Sequence, residues 1–221
     1  MGKTKTFICT IPFQKEGSLK PIVYKAHGNS KLDEYGTKYG QTRFPIVPVI
    51  NGYAEKGDRI RVIAIVSEGE NFRHNYDTYF VDEVNNIVKE NKYVFDGIEK
   101  ISTPDEEGIE AQLKLLAELL DKINDNEEVS ACITYGTKPL PIVQFIALNY
   151  AGKIKADTTI GCIAYGRFLH TEEEQNIGRI WDQTALFYID SIVSKLAQNQ
   201  VKNPDEVIKA WFDLEDAEYV D

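Results

Sequence analysis

Cysteine and histidine are scarce in this sequence of 221 residues, and their scarcity narrows what the protein can be. The three cysteines, Cys9, Cys132 and Cys162, each lie in an apolar, strand-like run, and no two of them form a Cys-x-x-Cys pair. The histidines stand apart without metal-ligand spacing, at His27, His74 and His170. The sequence therefore predicts buried, reduced thiols, and it indicates neither a disulfide framework nor a metal site. We expect no cofactor.

Positive charge and long hydrophobic runs are also in short supply. The 25 Lys and Arg residues are outnumbered by 35 Asp and Glu residues, which gives a formal net charge of -10 at pH 7. Binding to duplex nucleic acid depends on a cationic face, so this charge argues against it and confines any anionic ligand to a local pocket. No apolar segment approaches the roughly 18 to 20 residues of a membrane span, and the N-terminus lacks the pattern of a signal peptide. We expect a cytoplasmic protein without a membrane partner.

What the sequence does contain is an alternation of strand-like and helix-like segments. Short apolar runs predict strands over residues 4–11, 58–66, 95–101, 129–133 and 157–166, with the run at 95–101 taken as a core strand. Helical spacing of apolar residues predicts helices over 72–90, 140–149 and 176–198, and after Pro45, Thr103 and Asn203. This order predicts an α/β fold, a Rossmann-like three-layer sandwich around a mainly parallel sheet.

Several local predictions add detail to this architecture. The segment 19–27 turns at Gly28-Asn29-Ser30 and returns through Leu32, Tyr35 and Tyr39, which predicts an N-terminal β-hairpin insertion. Thr103-Pro104-Asp105-Glu106 matches a capping box. The helix it would start carries its apolar residues at Ile109, Leu113, Leu116, Leu120 and Ile123. Segment 140–149 is apolar nearly all round and predicts a buried helix. We expect a ligand-binding domain over 1–198, then a short C-terminal helix and acidic tail over 199–221.

The most informative stretch is the turn Thr134-Tyr135-Gly136-Thr137-Lys138, which joins an apolar strand to a helix that begins near Pro139. Free N–H groups at a helix start, a glycine, two hydroxyls and one ammonium group could together hold an anion. The spacing matches neither the phosphate-binding loop of nucleoside triphosphatases nor the glycine-rich fingerprint of dinucleotide-binding proteins. An ordinary strand-to-helix turn, with its hydroxyls capping the helix, is the alternative.

A second loop follows the first predicted strand, where Thr10 precedes Pro12 and Gln14. Ligands of open α/β sheets bind beyond the carboxyl ends of the strands, near the point where the strand order reverses. Both Thr10 and the turn from Thr134 to Lys138 are predicted to lie there.

At these residues the chain resembles the CRISPR-associated Rossmann-fold (CARF) sensor domains of Csm and Csx type accessory proteins. The resemblance covers most of the chain: the first strand with its hydroxyl-bearing loop, the Lys-Pro-Ile-Val-Tyr-Lys stretch at 20–25, the turn at 134–138 and a later strand that ends in Tyr165-Gly166. It implies a homodimer that binds a cyclic oligoadenylate, with cyclic tetra-adenylate favoured, across its two-fold axis. It also implies that the ligand contacts Thr10, Pro12, Gln14, Thr134, Tyr135, Gly136, Thr137 and Lys138.

Family members usually couple this sensor to an effector domain, and little chain remains here after Gln198. The Arg-x-x-x-x-His pattern of the family's HEPN ribonucleases is absent, since Arg167 and His170 are too closely spaced and Arg73 adjoins His74. The effector could therefore lie in a separate protein or outside this sequence.

Two alternative functions remain open at this point. Some sensors of this type cleave their own ligand without a metal, through attack of the ribose 2′-hydroxyl on the adjacent phosphate. In that case Lys138 would stabilise the transition state and Thr10 or Thr134 would fix the ring. No histidine in either loop could serve as general base. The other alternative is a nucleotide-binding Rossmann enzyme unrelated to CRISPR defence.

Overall fold

A computed structural model describes residues 2–29, 31–32, 40–168 and 177–218 of the chain. The strands within these residues are β1 Thr4–Thr10, β2 Ile22–His27, β3 Gln41–Thr42, β4 Arg59–Ser67, β5 Val94–Thr103, β6 Glu127–Cys132, β7 Thr159–Phe168 and β8 Ile177–Asp182. The helices are α1 Ile46–Tyr53, α2 Glu70–His74, α3 Val81–Asn91, α4 Ile109–Lys122, α5 Pro139–Ile154, α6 Thr184–Gln198 and α7 Pro204–Glu218. A π-helical segment, Asn75–Phe80, joins α2 to α3 without interruption.

All of these strands belong to one eight-stranded sheet with the order β3-β2-β8-β7-β6-β1-β4-β5. The pairs β2–β3 and β7–β8 are antiparallel, and every other neighbouring pair is parallel. The predicted fold class, an α/β sandwich around a mainly parallel sheet, is therefore confirmed. Because parallel strands need crossover connections, helices cover both faces of the sheet.

The strand order reverses beside β1. The chain builds outward from β1 through β4 to β5, and then returns along α4 to place β6 on the other side of β1. Cys9 of β1 pairs with Cys132 of β6, so the carboxyl ends of these two strands lie side by side. This is the switch point at which open α/β sheets leave a crevice for a ligand.

Side chains of β1 alternate between the two helical layers, as the pleat of a strand requires. Phe7 and Cys9 belong to a buried cluster that includes Phe44, beside α1, and Phe80, which precedes α3. Thr10 faces the opposite layer and is bonded to α5. Burial on both faces explains why β4 has a continuous apolar run over residues 62–66.

The N-terminal hairpin is present, but its return strand, β3 at Gln41–Thr42, lies after the predicted return segment. Ile22 pairs with Thr42 and Val23 with Gln41 in antiparallel register, and β2 also pairs with β8, so the hairpin extends the main sheet. Leu32 of the predicted return segment is fully buried. Ser30, Tyr35 and Tyr39 lie outside the described residues.

The prediction of one long helix over 176–198 is wrong in its first part. Ile177–Asp182 is strand β8, and the helix begins only at Thr184. The strand is set by pairing on both sides, with β7 and β2, which outweighs the local helical spacing. Gly178 permits this pairing, because a Cβ there would lie 2.6 Å from Cε1 of Tyr24. His170 and Asn176 lie outside the described residues.

The capping box at 103–106 is also wrong. Thr103 is the buried last residue of β5, where it pairs with Ser67, and α4 begins at Ile109 after Gly108. Pairing with β4 therefore extends the strand through the position that a local pattern assigns to a helix cap. β5 itself is the edge strand of the sheet and is largely half-exposed, so the prediction of a core strand needs correction too.

The apolar faces of α4 and α5 differ from the predicted ones. The sheet-facing residues of α4 include Gln112, Leu115 and Leu119. The helix α5 is buried on one side only. The two helices pack together and leave five large apolar side chains exposed by 46% to 70%: Ile109, Leu113, Ile142, Ile146 and Ile154. Because an apolar sequence alone cannot distinguish a core contact from an open surface, the prediction of a fully buried helix over 140–149 is wrong.

The chain divides into two compact units, Met1–Thr184 and Ala185–Asp221. The first contains the whole sheet with α1 to α5, and the second contains α7 and all but the first residue of α6. The helix predicted after Asn203 is thus confirmed. None of the described helices is long and apolar enough to cross a membrane.

Candidate functional site

A cavity of about 500 Å³ opens at the carboxyl ends of β1, β4 and β6. Its walls come from the loop after β1, the last residue of β4, the helix α2, the segment after β5 and the turn after β6. The residues that line it are Pro12, Phe13, Gln14, Ser67, Phe72, Asp105, Thr134, Tyr135, Gly136 and Thr137. Its volume lies within the range of about 300 to 1,000 Å³ that is typical of small-molecule sites.

The loop after β1 is held in place by Asn75, which is fully buried in the π-helical segment. The Asn75 Nδ2 atom donates hydrogen bonds to the carbonyl oxygens of Pro12 at 2.9 Å and Gln14 at 2.8 Å. Segments of π-helix inside α-helices often occur at functional sites, because the extra residue in the turn redirects one side chain. Here the redirected side chain fixes one wall of the cavity.

The hydroxyl of Thr134 is engaged within the protein. It accepts a hydrogen bond from the Gly166 N–H at 2.7 Å and lies 3.0 Å from Cys132 Sγ. Thr134 thus ties the end of β6 to β7. Of the two threonine hydroxyls in the turn, only that of Thr137 has no hydrogen-bond partner among the described residues.

Tyr135 anchors the same turn to the core. Its hydroxyl donates a 2.8 Å hydrogen bond to the Arg43 carbonyl oxygen, and burial raises the pKa of this hydroxyl well above its ordinary value. Arg43 in turn contacts Glu83 at 2.8 Å and stacks over the Tyr79 ring. The Tyr135 side chain therefore acts as a support for the cavity wall.

Position 136 favours glycine for two reasons, its backbone conformation and the closeness of neighbouring side chains. Its φ angle is +103°, a conformation that favours glycine. A Cβ at this position would lie 2.6 Å from Leu140 Cδ1 and 3.0 Å from Thr10 Cγ2. The turn thus passes directly over Thr10.

Thr10 lies beneath the site rather than on its surface. It is only 2% exposed, it does not line the cavity, and its Oγ1 accepts a 2.8 Å hydrogen bond from Gln144 Nε2 on α5. Its contacts are those of a residue that positions the turn above it.

Lys138 is exposed and caps the start of α5, outside the cavity lining. The first turn of α5 is poor in free donors, because Pro139 and Pro141 have no N–H and the Leu140 N–H bonds to the Thr137 carbonyl at 3.0 Å. The unpaired backbone donors in this part of the described chain belong instead to Gly136, Thr137 and Lys138.

Charge near the cavity is unevenly distributed. Asp105 is the one charged residue in the lining, and a neighbouring cavity of about 280 Å³ shares Ser67 and carries Arg73, Lys100 and Glu68. Among the described residues, no group of three His, Cys, Asp or Glu side chains stands close enough together to hold a metal ion. The site is thus a mixed apolar and polar pocket with cations at its margin.

The structure brings six of the eight predicted site residues together, namely Pro12, Gln14, Thr134, Tyr135, Gly136 and Thr137. Sequence reasoning missed Phe13, Ser67, Phe72 and Asp105. The rule that ligands bind at strand ends could have found Ser67 and Asp105, which end or follow β4 and β5. Phe72 enters the site through helix packing, for which the sequence has no local signal.

A scan of the chain against protein-family models finds no match, and a search of curated proteins finds no significant match.

Proposed function

We propose that this chain is a sensor of type III CRISPR systems that binds a cyclic oligoadenylate, with cyclic tetra-adenylate as the favoured ring, across a homodimer. One observation carries the proposal: the two loops identified by the CARF resemblance, after β1 and β6, line a single cavity at the switch point of the sheet. That location suits a nucleotide ligand.

The chemistry of the turn after β6 suits phosphate oxygens. Unpaired N–H groups at Gly136, Thr137 and Lys138, together with the Thr137 hydroxyl, offer hydrogen bonds to an anion. The exposed Lys138 ammonium group adds positive charge beside them. A local arrangement of this kind can hold an anion on a protein whose net charge is -10.

A homodimer is supported by the outer surface of α5. Lys138, Ile142 and Ile146 are spaced four residues apart, so they share one exposed face, and Ile109 and Leu113 of the adjacent α4 extend it. A second copy of the chain would cover this apolar face. Because α5 begins at the turn, a two-fold axis that runs alongside α5 and parallel to it would bring two turns together. A ring of four nucleotides is larger than one cavity, which is consistent with one half-site on each copy.

The geometry favours binding over cleavage. The cavity lining contains no histidine or lysine, the Thr10 hydroxyl is bonded to Gln144, and Lys138 lies outside the lining. A ring nuclease would also need a base to accept the proton of the attacking 2′-hydroxyl, and among the described residues neither histidine nor lysine lines the cavity for that step.

The decisive experiment is a calorimetric titration of the purified protein with cyclic tetra-adenylate, cyclic hexa-adenylate and linear tetra-adenylate. We expect tight binding of one cyclic tetra-adenylate per two chains, weaker binding of the linear form, and a clear loss of affinity for Lys138→Ala. Mass spectrometry of the recovered ligand decides between a binding protein and a ring nuclease, since cleavage would yield linear products.

Absence of binding to every ring would overturn the sensor proposal. A stoichiometry of one mononucleotide per chain, without any dependence on dimerisation, would point instead to an unrelated nucleotide-binding enzyme.

A further inference from the structure

The cavity contains an exposed aromatic ring that phosphate binding does not use. Phe13 is 56% exposed, although the loop that carries it is held firmly by Asn75. Its ring packs against Phe72 with centroids 5.3 Å apart and planes tilted by 58°. An exposed aromatic ring on a fixed loop offers a flat apolar surface, and both rings line the cavity.

Polar groups beside these rings remain without partners. The Gln14 Oε1 atom is buried and accepts no hydrogen bond among the described residues. The Asp105 carboxylate lines the same cavity but is exposed, so of the two groups only Gln14 Oε1 is a buried acceptor without a donor. A buried acceptor without a donor is costly unless a ligand supplies the donor.

From this combination we infer that the cavity binds a nucleobase, that Phe13 is the surface on which the base stacks, and that Gln14 and Asp105 select adenine. Any nucleobase can stack on an aromatic side chain, so stacking alone does not select one base. A glutamine carboxamide can form a pair of hydrogen bonds with an edge of adenine. Asp105 supplies the discrimination, because a carboxylate accepts a hydrogen bond from the 6-amino group of adenine but repels the 6-oxo group of hypoxanthine or guanine. The adenine base is then the part of the cyclic oligoadenylate that this cavity recognises, and this inference rests on the proposed function.

The first test compares the wild-type protein with Phe13→Ala, using cyclic tetra-adenylate in calorimetry and adenosine monophosphate in saturation-transfer NMR. Loss of one base stack per half-site predicts at least about tenfold weaker binding of the ring. The mononucleotide signal is also expected to disappear. Phe212→Ala is a matched control, because it removes another exposed aromatic ring, 43% exposed, from α7. Thermal unfolding of each variant verifies that the fold is retained.

A second variant tests the selection of adenine. The wild-type protein is expected to prefer adenosine monophosphate over inosine monophosphate, and Asp105→Asn is expected to reduce that preference at least about fivefold, because an amide can also donate a hydrogen bond to a 6-oxo group. An unchanged preference would overturn the role of Asp105.

The outcomes separate this inference from the proposed function. Equal ring affinity of wild type and Phe13→Ala would overturn the stacking surface and leave the sensor proposal standing. Failure of the ring to bind, with Phe13-dependent binding of adenosine monophosphate, would overturn the sensor and retain the adenine site. Binding of neither ligand would overturn both.

Discussion

Thr10 illustrates how a residue can support the wall of a cavity without lining it. Its methyl group lies under Gly136, and its hydroxyl is the acceptor for the buried carboxamide of Gln144. The Gln144 Oε1 atom is itself buried without a partner among the described residues, so the Thr10 hydroxyl is the one hydrogen bond that this side chain makes there.

Thr10→Val keeps the shape of the side chain and removes the acceptor. We expect the free energy of unfolding to fall by about 1 to 3 kcal/mol, since the Gln144 amide would lose its partner in the interior. We expect the affinity for cyclic tetra-adenylate to change by less than about twofold. Urea denaturation and calorimetry measure the two effects, with Thr10→Ser as the control that restores the hydroxyl. Full stability with lost binding would instead place the hydroxyl against the ligand.

At the level of single residues, sequence reasoning predicted which residues would lie together wherever they follow the end of a strand. Pro12, Gln14 and the turn from Thr134 to Thr137 follow short apolar strands, and a parallel sheet brings such ends together. It could not foresee that Asn75 would fix the first loop. That contact depends on the π-helical turn, and no local sequence pattern places the Asn75 side chain 2.9 Å from the carbonyl oxygen of Pro12.

Among the secondary structure elements, the strands and helices that sequence reasoning missed are those defined by distant partners. β8 is a strand because β2 and β7 pair with it from both sides, and β5 extends to Thr103 because Ser67 pairs with that residue. The local periodicity of the sequence predicts neither strand β8 nor the extension of β5. By contrast, β1, β4 and α3 combine strong patterns with burial in the core, so local and tertiary preferences agree in them.

The exposed face shared by α4 and α5 leads to a prediction about assembly. Ile142 and Ile146 are 61% and 46% exposed, so charging them removes no core contact. Because each isoleucine buried in a symmetric interface counts twice, we expect the double variant Ile142→Glu, Ile146→Glu to weaken the proposed homodimer at least about a hundredfold. Sedimentation velocity measures the change, and binding of the cyclic ring should be lost with it.

Val193→Glu on α6 is the matched control, since this valine is 50% exposed and lies on a different helix. If the control variant dissociates the dimer and the double variant does not, the interface lies elsewhere on the chain. If both variants remain dimeric, the α5 face is not covered by a second copy.

For the molecule as a whole, the buried thiols make the free energy of unfolding depend on pH in the alkaline range. Cys9, Cys132 and Cys162 lie on three different strands of the sheet, and all are buried. Burial raises the pKa of all three thiols, and it raises that of Cys132 from 9.0 to about 11. The prediction from sequence that these three residues are buried is confirmed.

The sign of the effect follows from proton binding. Above about pH 9 the thiols of the unfolded chain lose protons that the folded chain keeps, so the unfolded state binds fewer protons and the free energy of unfolding falls as pH rises. The Cys132 contribution is fully present below pH 9 and is lost progressively up to its folded pKa of about 11. Each such thiol adds a slope of at most about 1.4 kcal/mol per pH unit in this window.

Cys132→Ser isolates this contribution, because serine keeps a polar group beside Thr134 Oγ1 but does not titrate in this range. Urea denaturation from pH 8 to 10.5 under reducing conditions should show a slope shallower by about 1 kcal/mol per pH unit in the variant than in the wild type. Buried tyrosines that are not coupled to Cys132, such as Tyr53 and Tyr93, also have pKa values raised by burial, but they contribute equally to both proteins and cancel in the difference. Identical slopes would mean that the Cys132 thiol ionises as readily in the folded chain as in the unfolded one, and that the end of β6 beneath the site is open to solvent.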